Sequence, residues 1–330
     1  MGQVPRQRFV IDPVWKLVDK KDYERLWKIF IDDCDQCGFI GFDMEWSYEK
    51  VIPIGTNQTS SRPKQIECPV ATVQLSSRLV TFVVKFIDLF CIVTQGKCND
   101  PYALLSHDWP SYRIGEKKNP AELMAKIYQN IVSLLKNDAV AKVGVGIHGD
   151  KIKFQRDYEG LILSPCVDLV ELAAHYHEKK LCGTSLDKPD EVSENEGKGK
   201  SLKAMSAKFA GIILDKDYSI IRSKWGGALG SLSKMQINYA AADAEASFDV
   251  CLGILVQAGL VSANTSSPSS ISSTSCLPLL EPLFTRTEKA TKNGTQQRQK
   301  CFRNTTGTPP NYESLFPDRT NDTLNVTEAT

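Results

Sequence analysis

Residues 39–46 read FIGFDMEW, an apolar run of strand character that carries two acids, Asp43 and Glu45, near its end. Successive side chains of a strand point to opposite faces, so positions 43 and 45 share one face while Phe42 and Met44 take the other. Two carboxylates side by side on a largely buried strand repel each other and lose hydration unless a cation holds them. The alternative is a strand end that runs into water with two solvated acids.

Working outward from this strand, the residues before it predict a helix over 19–38. Tyr23, Leu26, Trp27 and Phe30 fall on one face, Asp19 stands at the cap position and Gly38 at the stop. After it, a polar stretch broken by Pro and Gly predicts a loop over 47–67, then strands over 69–75 and 79–86. Strand, loop, strand, turn, strand reads as an antiparallel meander that opens a sheet. Asn119 and Pro120 start a helix that ends near Leu135. A strand is expected over 140–147, a helix from about 149, a short strand and helix over 164–177, and helices over 201–209 and 233–257. The polar run 187–200 reads as a surface insertion. The expected fold is α/β, a mixed sheet with antiparallel first strands and helices packed on it.

Two further acids sit where the pattern is otherwise apolar. Asp150 follows the strand-like VGVGI and opens a helix; alone it reads equally as an aspartate favoured by the helix dipole. Asp243, in QINYAAADAEASFDV, lies four residues after Tyr239 and shares its helix face. The small side chains of Ala240, Ala241 and Ala242 let another element come close there. Alone, this too reads as an exposed Tyr–Asp pair on an amphipathic helix.

Together these signals are more specific. Acid-x-acid on the first strand, an Asp opening a mid-chain helix and Tyr-x-x-x-Asp on a late helix, in that order, resemble the DEDD exonuclease superfamily. FDMEW, VGVGI-x-x-D and YAAADA are similar to the Werner-syndrome-type 3′–5′ exonuclease domain and to the exonuclease 3′-5′ domain-containing protein 2 type. The resemblance runs from about 39 to 255, including CVDLVELA, SLKAM and IRSKW, and has the tyrosine subtype's Tyr239. It implies a ribonuclease H-like sheet and a 3′–5′ exonuclease that releases nucleoside 5′-monophosphates. It also implies two Mg²⁺ or Mn²⁺ ions, held by Asp43, Glu45, Asp150 and Asp243. Such chemistry uses two divalent ions about 3.5–4 Å apart to stabilise the attacking and leaving oxygens. By the same resemblance Asp43 bridges both ions, Glu45 and Asp243 complete one site, Asp150 supports the other, and Tyr239 holds the attacking water. The implied substrate is single-stranded or 3′-recessed DNA or RNA, in DNA repair, replication or RNA processing.

Weaker expectations concern substrate contacts. Trp46 offers a surface for base stacking, with a core role as the alternative. Arg222 and Lys224, ahead of Trp225, resemble the family segment that approaches the nucleic acid.

Other motifs compete with this reading. GVGIHG, with Gly144, Gly146 and Gly149, matches the dinucleotide fingerprint and has Asp168 further on. A dinucleotide-binding oxidoreductase is thus the runner-up, opposed by Asp150, whose charge would sit at the helix start meant for pyrophosphate. GKGKS lacks the first glycine of a P-loop, and Cys34-x-x-Cys37 precedes a strand where redox pairs open a helix after one. A catalytically idle nucleic-acid-binding scaffold is the second alternative; the presence of all five motif residues opposes it.

Composition sets the outer bounds. From 262 to 330, 22 of 69 residues are Ser or Thr, which predicts a disordered tail and a folded domain over 1–261. That leaves about 260 residues, enough for one domain on the usual scale of roughly 100–200 residues or somewhat more. Outside the tail the charges balance at 33 basic and 33 acidic residues, so no bulk basic field marks a nucleic-acid binder. Arg286 to Arg303 holds six basic residues and one acid, a solvated linker or a tether for nucleic acid, and the tail is also a candidate surface for a protein partner. No run reaches the ~18 apolar residues of a membrane span, and no apolar signal segment opens the sequence. The ten cysteines then read as reduced thiols. The expected compartment is intracellular, the nucleus first, with mitochondrion or cytoplasm as alternatives.

Overall fold

The computed structural model describes residues 6–12, 18–51, 64–94, 119–183, 201–225, 231–261, 276–281 and 283. The chain divides into two units, Met1–Glu49 with Ile66–Arg286, and Lys50–Gln65 with Thr287–Thr330. Only four strand-end residues of the second are described, and the account below is of the first.

Helix α1 (Lys20–Cys37) starts where the Asp19 carboxylate accepts a hydrogen bond from the Asp22 amide at 2.9 Å. It stops at Gly38, whose φ of 75° is a left-handed turn that glycine adopts without steric cost. That stop feeds the chain directly into β2 (Phe39–Val51). The other strands are β1 (Gln7–Ile11), β3 (Lys64–Ser76), β4 (Val80–Val84), β5 (Ala141–Gly144) and β6 (Cys166–Asp168), arranged β1-β4-β3-β2-β5-β6. β3 and β4 run antiparallel, while β4 with β1, β2 with β5 and β5 with β6 run parallel. This is the mixed sheet the sequence led us to expect, and its order is that of a ribonuclease H-like core.

Helices cover both faces. On one, Ile40, Phe42 and Met44 of β2 join a cluster with α1, α3 (Asn119–Leu135) and α4 (Ile147–Asp157). On the other, Phe39, Ala141 and Val143 meet α5 (Leu169–Gly183) and α8 (Lys234–Gln257). Period two along β2 therefore sends the acids of FIGFDMEW towards α8. A smaller cluster seats the first half of α8, through Ala240 and Ala241, on Ala71 and Val83. At the sheet edge, Arg6 and Arg8 flank and enter β1, pairing with Asp249 at 2.6 Å and Glu245 at 2.7 Å, one turn apart on α8.

Several expectations need correction. β2 and β3 extend through Val51 and from Lys64, into the span read as a loop; polar strands pair as readily as apolar ones where a neighbour satisfies their backbone. The strand read over 79–86 ends at Val84, and α2 (Phe86–Thr94) follows. α2, β1 and the short α7 (Tyr218–Ile221) had no counterpart in the reading of the sequence. The helix over 201–209 is α6 (Leu202–Met205), continued by a π-helical turn, Ser206–Ala210. The insertion at 187–200 lies outside the described residues.

The tail boundary also moves. Residues 277–281 form a helical turn, and Cys276, Leu280 and Leu283 are buried in the α5/α8 cluster. The Cys276 amide donates to the Cys37 carbonyl at 3.1 Å, and the Tyr176 hydroxyl donates to the Leu279 carbonyl at 2.6 Å. The segment is thus part of the folded unit, and the reading of 262–330 as wholly disordered is wrong for it. The tail's basic run lies outside the described residues. Each buried apolar side chain contributes on the order of 1.5–3 kcal/mol. A chain ending at Val261 should therefore melt on the order of 10 °C below one ending at Arg286, at 2–4 °C per kcal/mol. Scanning calorimetry of the two checks this, and equal melting points would contradict the docking.

Candidate active site

Asp43 and Glu45 leave β2 on the α8 side, half-buried, and Asp243 meets them from α8, buried. One carboxylate oxygen from each lies within 4.8 Å of the others. The approach depends on Gly41, where a Cβ would stand 2.0 Å from the Ala244 carbonyl oxygen. The small side chains read at 240–242 do the same from the helix side: Ala240 and Ala241 are fully buried.

Asp150 stands in the first turn of α4, outside this tight group, and its charge acts on both Asp43 and Glu45. The five sequence-predicted residues are accordingly in one neighbourhood, three of them in direct convergence. Burial, then repulsion from Asp243, Glu45 and Asp150, pushes the Asp43 carboxyl well above its ordinary range. Burial and Asp243 push Glu45 up to about 8, against the opposing pull of Lys216. Burial and Asp168 push Asp150 up to about 7. Carboxylates crowded this way are short of positive charge. Their donors are all hard oxygens, the set that suits Mg²⁺ or Mn²⁺, so the residues present fit such ions.

Tyr239 lies one turn before Asp243. Burial, Asp243 and Glu45 all push its hydroxyl above its ordinary range, so it is a proton holder at neutral pH. Its ring packs 6.1 Å from that of Trp225, at 49°. Trp225 is fixed to β2 by its amide, which donates to Ser47 Oγ at 2.7 Å. The capping box of α8 serves the same wall: Gln236 Nε2 donates to Ser223 Oγ at 3.0 Å and to the Lys224 carbonyl at 3.1 Å. Arg222 and Lys224 are exposed on this stretch.

Lys216 is the residue the sequence reading missed. Its Nζ lies 2.5 Å from Asp243 Oδ2 and 3.3 Å from the Tyr239 hydroxyl. Nothing in LDKDY distinguishes this lysine from a solvated one.

Trp46 takes its core alternative. By strand alternation it points away from Glu45, packs against the α1/α3/α4 cluster and has Lys153 Nζ 5.0 Å from its ring centroid. Two of the three glycines of GVGIHG have a structural account of their own. A Cβ at Gly144 would stand 2.8 Å from the Phe42 carbonyl oxygen, and Gly146 sits at φ 74°. Asp168, which the dinucleotide reading needs for a ribose, instead accepts from the amides of Gly146 and Val170 at 2.8 Å each.

Residues 111–257 match the family model described as 3′-5′ exonuclease. Over 183 residues the chain is 30% identical to exonuclease 3′-5′ domain-containing protein 2 of Mus musculus, covering 55% of this chain and 25% of that protein. The Homo sapiens protein of the same name is 29% identical, with 26% of its length covered. The chain thus spans about a quarter of the length of the curated relatives it matches. Among solved structures, the exoribonuclease RNase D of Escherichia coli aligns with a TM-score of 0.40 and 14% identity, over 78% of this chain and 46% of that one. The family match falls on the helices that carry Asp150, Tyr239 and Asp243, so over residues 111–257 the chain is similar to 3′-5′ exonucleases, and over 183 residues to exonuclease 3′-5′ domain-containing protein 2.

Proposed function

We propose that the protein is a metal-dependent enzyme that shortens nucleic acid from its 3′ end and releases nucleoside 5′-monophosphates. The observation that carries this is the convergence of Asp43, Glu45 and Asp243 within 4.8 Å, with Asp150 acting on them and Tyr239 alongside. A divalent pair bound by these four acids supplies Lewis-acid stabilisation of the phosphate and lowers the pKa of a water. The chain's own groups orient the rest. The Tyr239 hydroxyl, kept protonated, holds the attacking water. Arg222 and Lys224, exposed ahead of Trp225, meet the phosphates of a single-stranded or 3′-recessed end. Contacts of that kind fix position on the strand without reading its sequence.

The test uses 3′-recessed, duplex and single-stranded DNA and RNA, labelled at the 5′ end and digested with Mg²⁺, Mn²⁺ or chelator. A ladder shortening from the 3′ end, 5′-monophosphates as products and silence in chelator are expected. Internal cuts or 3′-phosphate products would overturn the reading. In single-turnover digestion Tyr239→Phe should lose on the order of 10²–10⁴-fold in rate, the usual contribution of a positioned proton-transfer group. Its Mn²⁺ binding should be kept. A Tyr239→Phe enzyme as fast as wild type would reduce Tyr239 to a packing partner of Trp225.

A further inference from the structure

The acids already have one cation among them. Lys216 Nζ sits 2.5 Å from Asp243 Oδ2, 3.3 Å from the Tyr239 hydroxyl and 5.2 Å from the centroid of the Tyr239 ring. The lysine lies on the irregular stretch between the π-helical turn and α7, where Leu214 is buried on one side of it. On the other side Asp217 caps α7 by accepting from the Ser219 amide at 2.8 Å. The backbone is therefore fixed at both flanks, while the Lys216 side chain itself is 24% exposed. A lysine is a compact charge on a flexible four-carbon stem, able to leave its partner without moving the main chain.

A divalent ion at the triad competes for the Asp243 carboxylate that this ammonium holds. Two cations at bonding distance from one partly buried carboxylate repel each other strongly. We infer that Lys216 is the resident counter-ion of the metal-free site, and that a divalent ion loads the site by displacing it from Asp243. The inference rests on the exonuclease reading and deepens it by stating how the site takes up metal. It gives Lys216 two effects of opposite sign: it relieves repulsion among the acids when the site is empty, and it weakens metal binding. Once displaced, the ammonium is free positive charge beside the acids, so the loaded site attracts phosphate more than the empty one.

The experiment uses the full chain. Trace acetylation of amines by acetic anhydride, mapped by mass spectrometry, should label Lys216 faster with Mn²⁺ than with chelator. Lys136, exposed just after α3 on the other face of the sheet, is the internal reference and should not change. Unchanged or slower labelling of Lys216 on adding Mn²⁺ would overturn displacement. In parallel, free Mn²⁺ is followed by electron paramagnetic resonance during titration. Lys216→Met should bind about tenfold more tightly than wild type, the scale of one lost partly screened repulsion, and Lys216→Arg should show no such gain. Equal or weaker binding by Lys216→Met would overturn the inference alone. A wild-type chain that binds no Mn²⁺ would remove the exonuclease reading and the inference with it.

Discussion

Asp43→Asn should abolish cleavage, by on the order of 10³-fold or more, and leave the metal-free protein at least as stable as wild type. The rate follows from losing one ligand of an ion that provides several kcal/mol of transition-state stabilisation. The stability follows from the site's own strain. Asp43 is pushed well above its ordinary range by burial and by Asp243, Glu45 and Asp150 together, and a neutral amide ends that repulsion. The pH dependence carries the same signature. Glu45 at about 8 and Asp150 at about 7 bind protons more tightly folded than unfolded, where carboxylates titrate near about 4. Rising pH from 5 to 7 thus lowers the stability of the metal-free fold. Buried Lys142, lowered to about 7, opposes this only above that pH. Melting curves in chelator should show the wild type falling across pH 5–7 and Asp43→Asn falling less. Mg²⁺ or Mn²⁺ should flatten the wild-type slope. A pH-independent wild type in chelator would mean that the acids do not share one field.

Gly41→Ala should be nearly as damaging to activity, for a mechanical reason. The added Cβ would meet the Ala244 carbonyl oxygen at 2.0 Å and the Phe248 amide nitrogen at 2.7 Å, both main-chain atoms of α8. No side chain can rotate away, so the helix itself must shift. Overpacking of this kind costs about 1–3 kcal/mol, and a displacement of about 1 Å in a catalytic group can cost on the order of 10²-fold in rate. Asp243 and Tyr239 ride on the helix that moves. Gly149→Ala is the control: nothing lies within 4 Å of its added carbon, and a helical alanine should hold or raise stability. Wild-type melting and cleavage in Gly41→Ala would show that α8 is not braced there.

How much was legible differs residue by residue. Asp43 and Glu45 stood out because charge on an apolar strand is costly, and strand periodicity alone put them on one face. Asp243 and Tyr239 were readable through their helical spacing and alanine surroundings. Asp150 gained meaning only from the ordered set. Lys216 was invisible because its role depends on where an irregular stretch lands after the π-helical turn, which no periodicity encodes. α2, in FIDLFCIVT, is apolar on nearly every side, and such a run looks the same as strand or helix. Cys276, Leu280 and Leu283 do stand at helical spacing i, i+4, i+7, a signal lost when composition was averaged over a Ser/Thr-rich tail.

The pairing of β2 with α8 also orders the protein's birth. Asp43 and Asp243 are 200 positions apart, so a ribosome adding about 5–20 residues per second makes Asp243 on the order of 10–40 s after Asp43. Until α8 has emerged and settled over Gly41, the nascent chain carries only part of its acid set. A chain interrupted before Lys234 lacks Tyr239 and Asp243 altogether and is therefore a blank cartridge. By this arrangement the acid set is completed late, only when α8 has been made and has settled over Gly41.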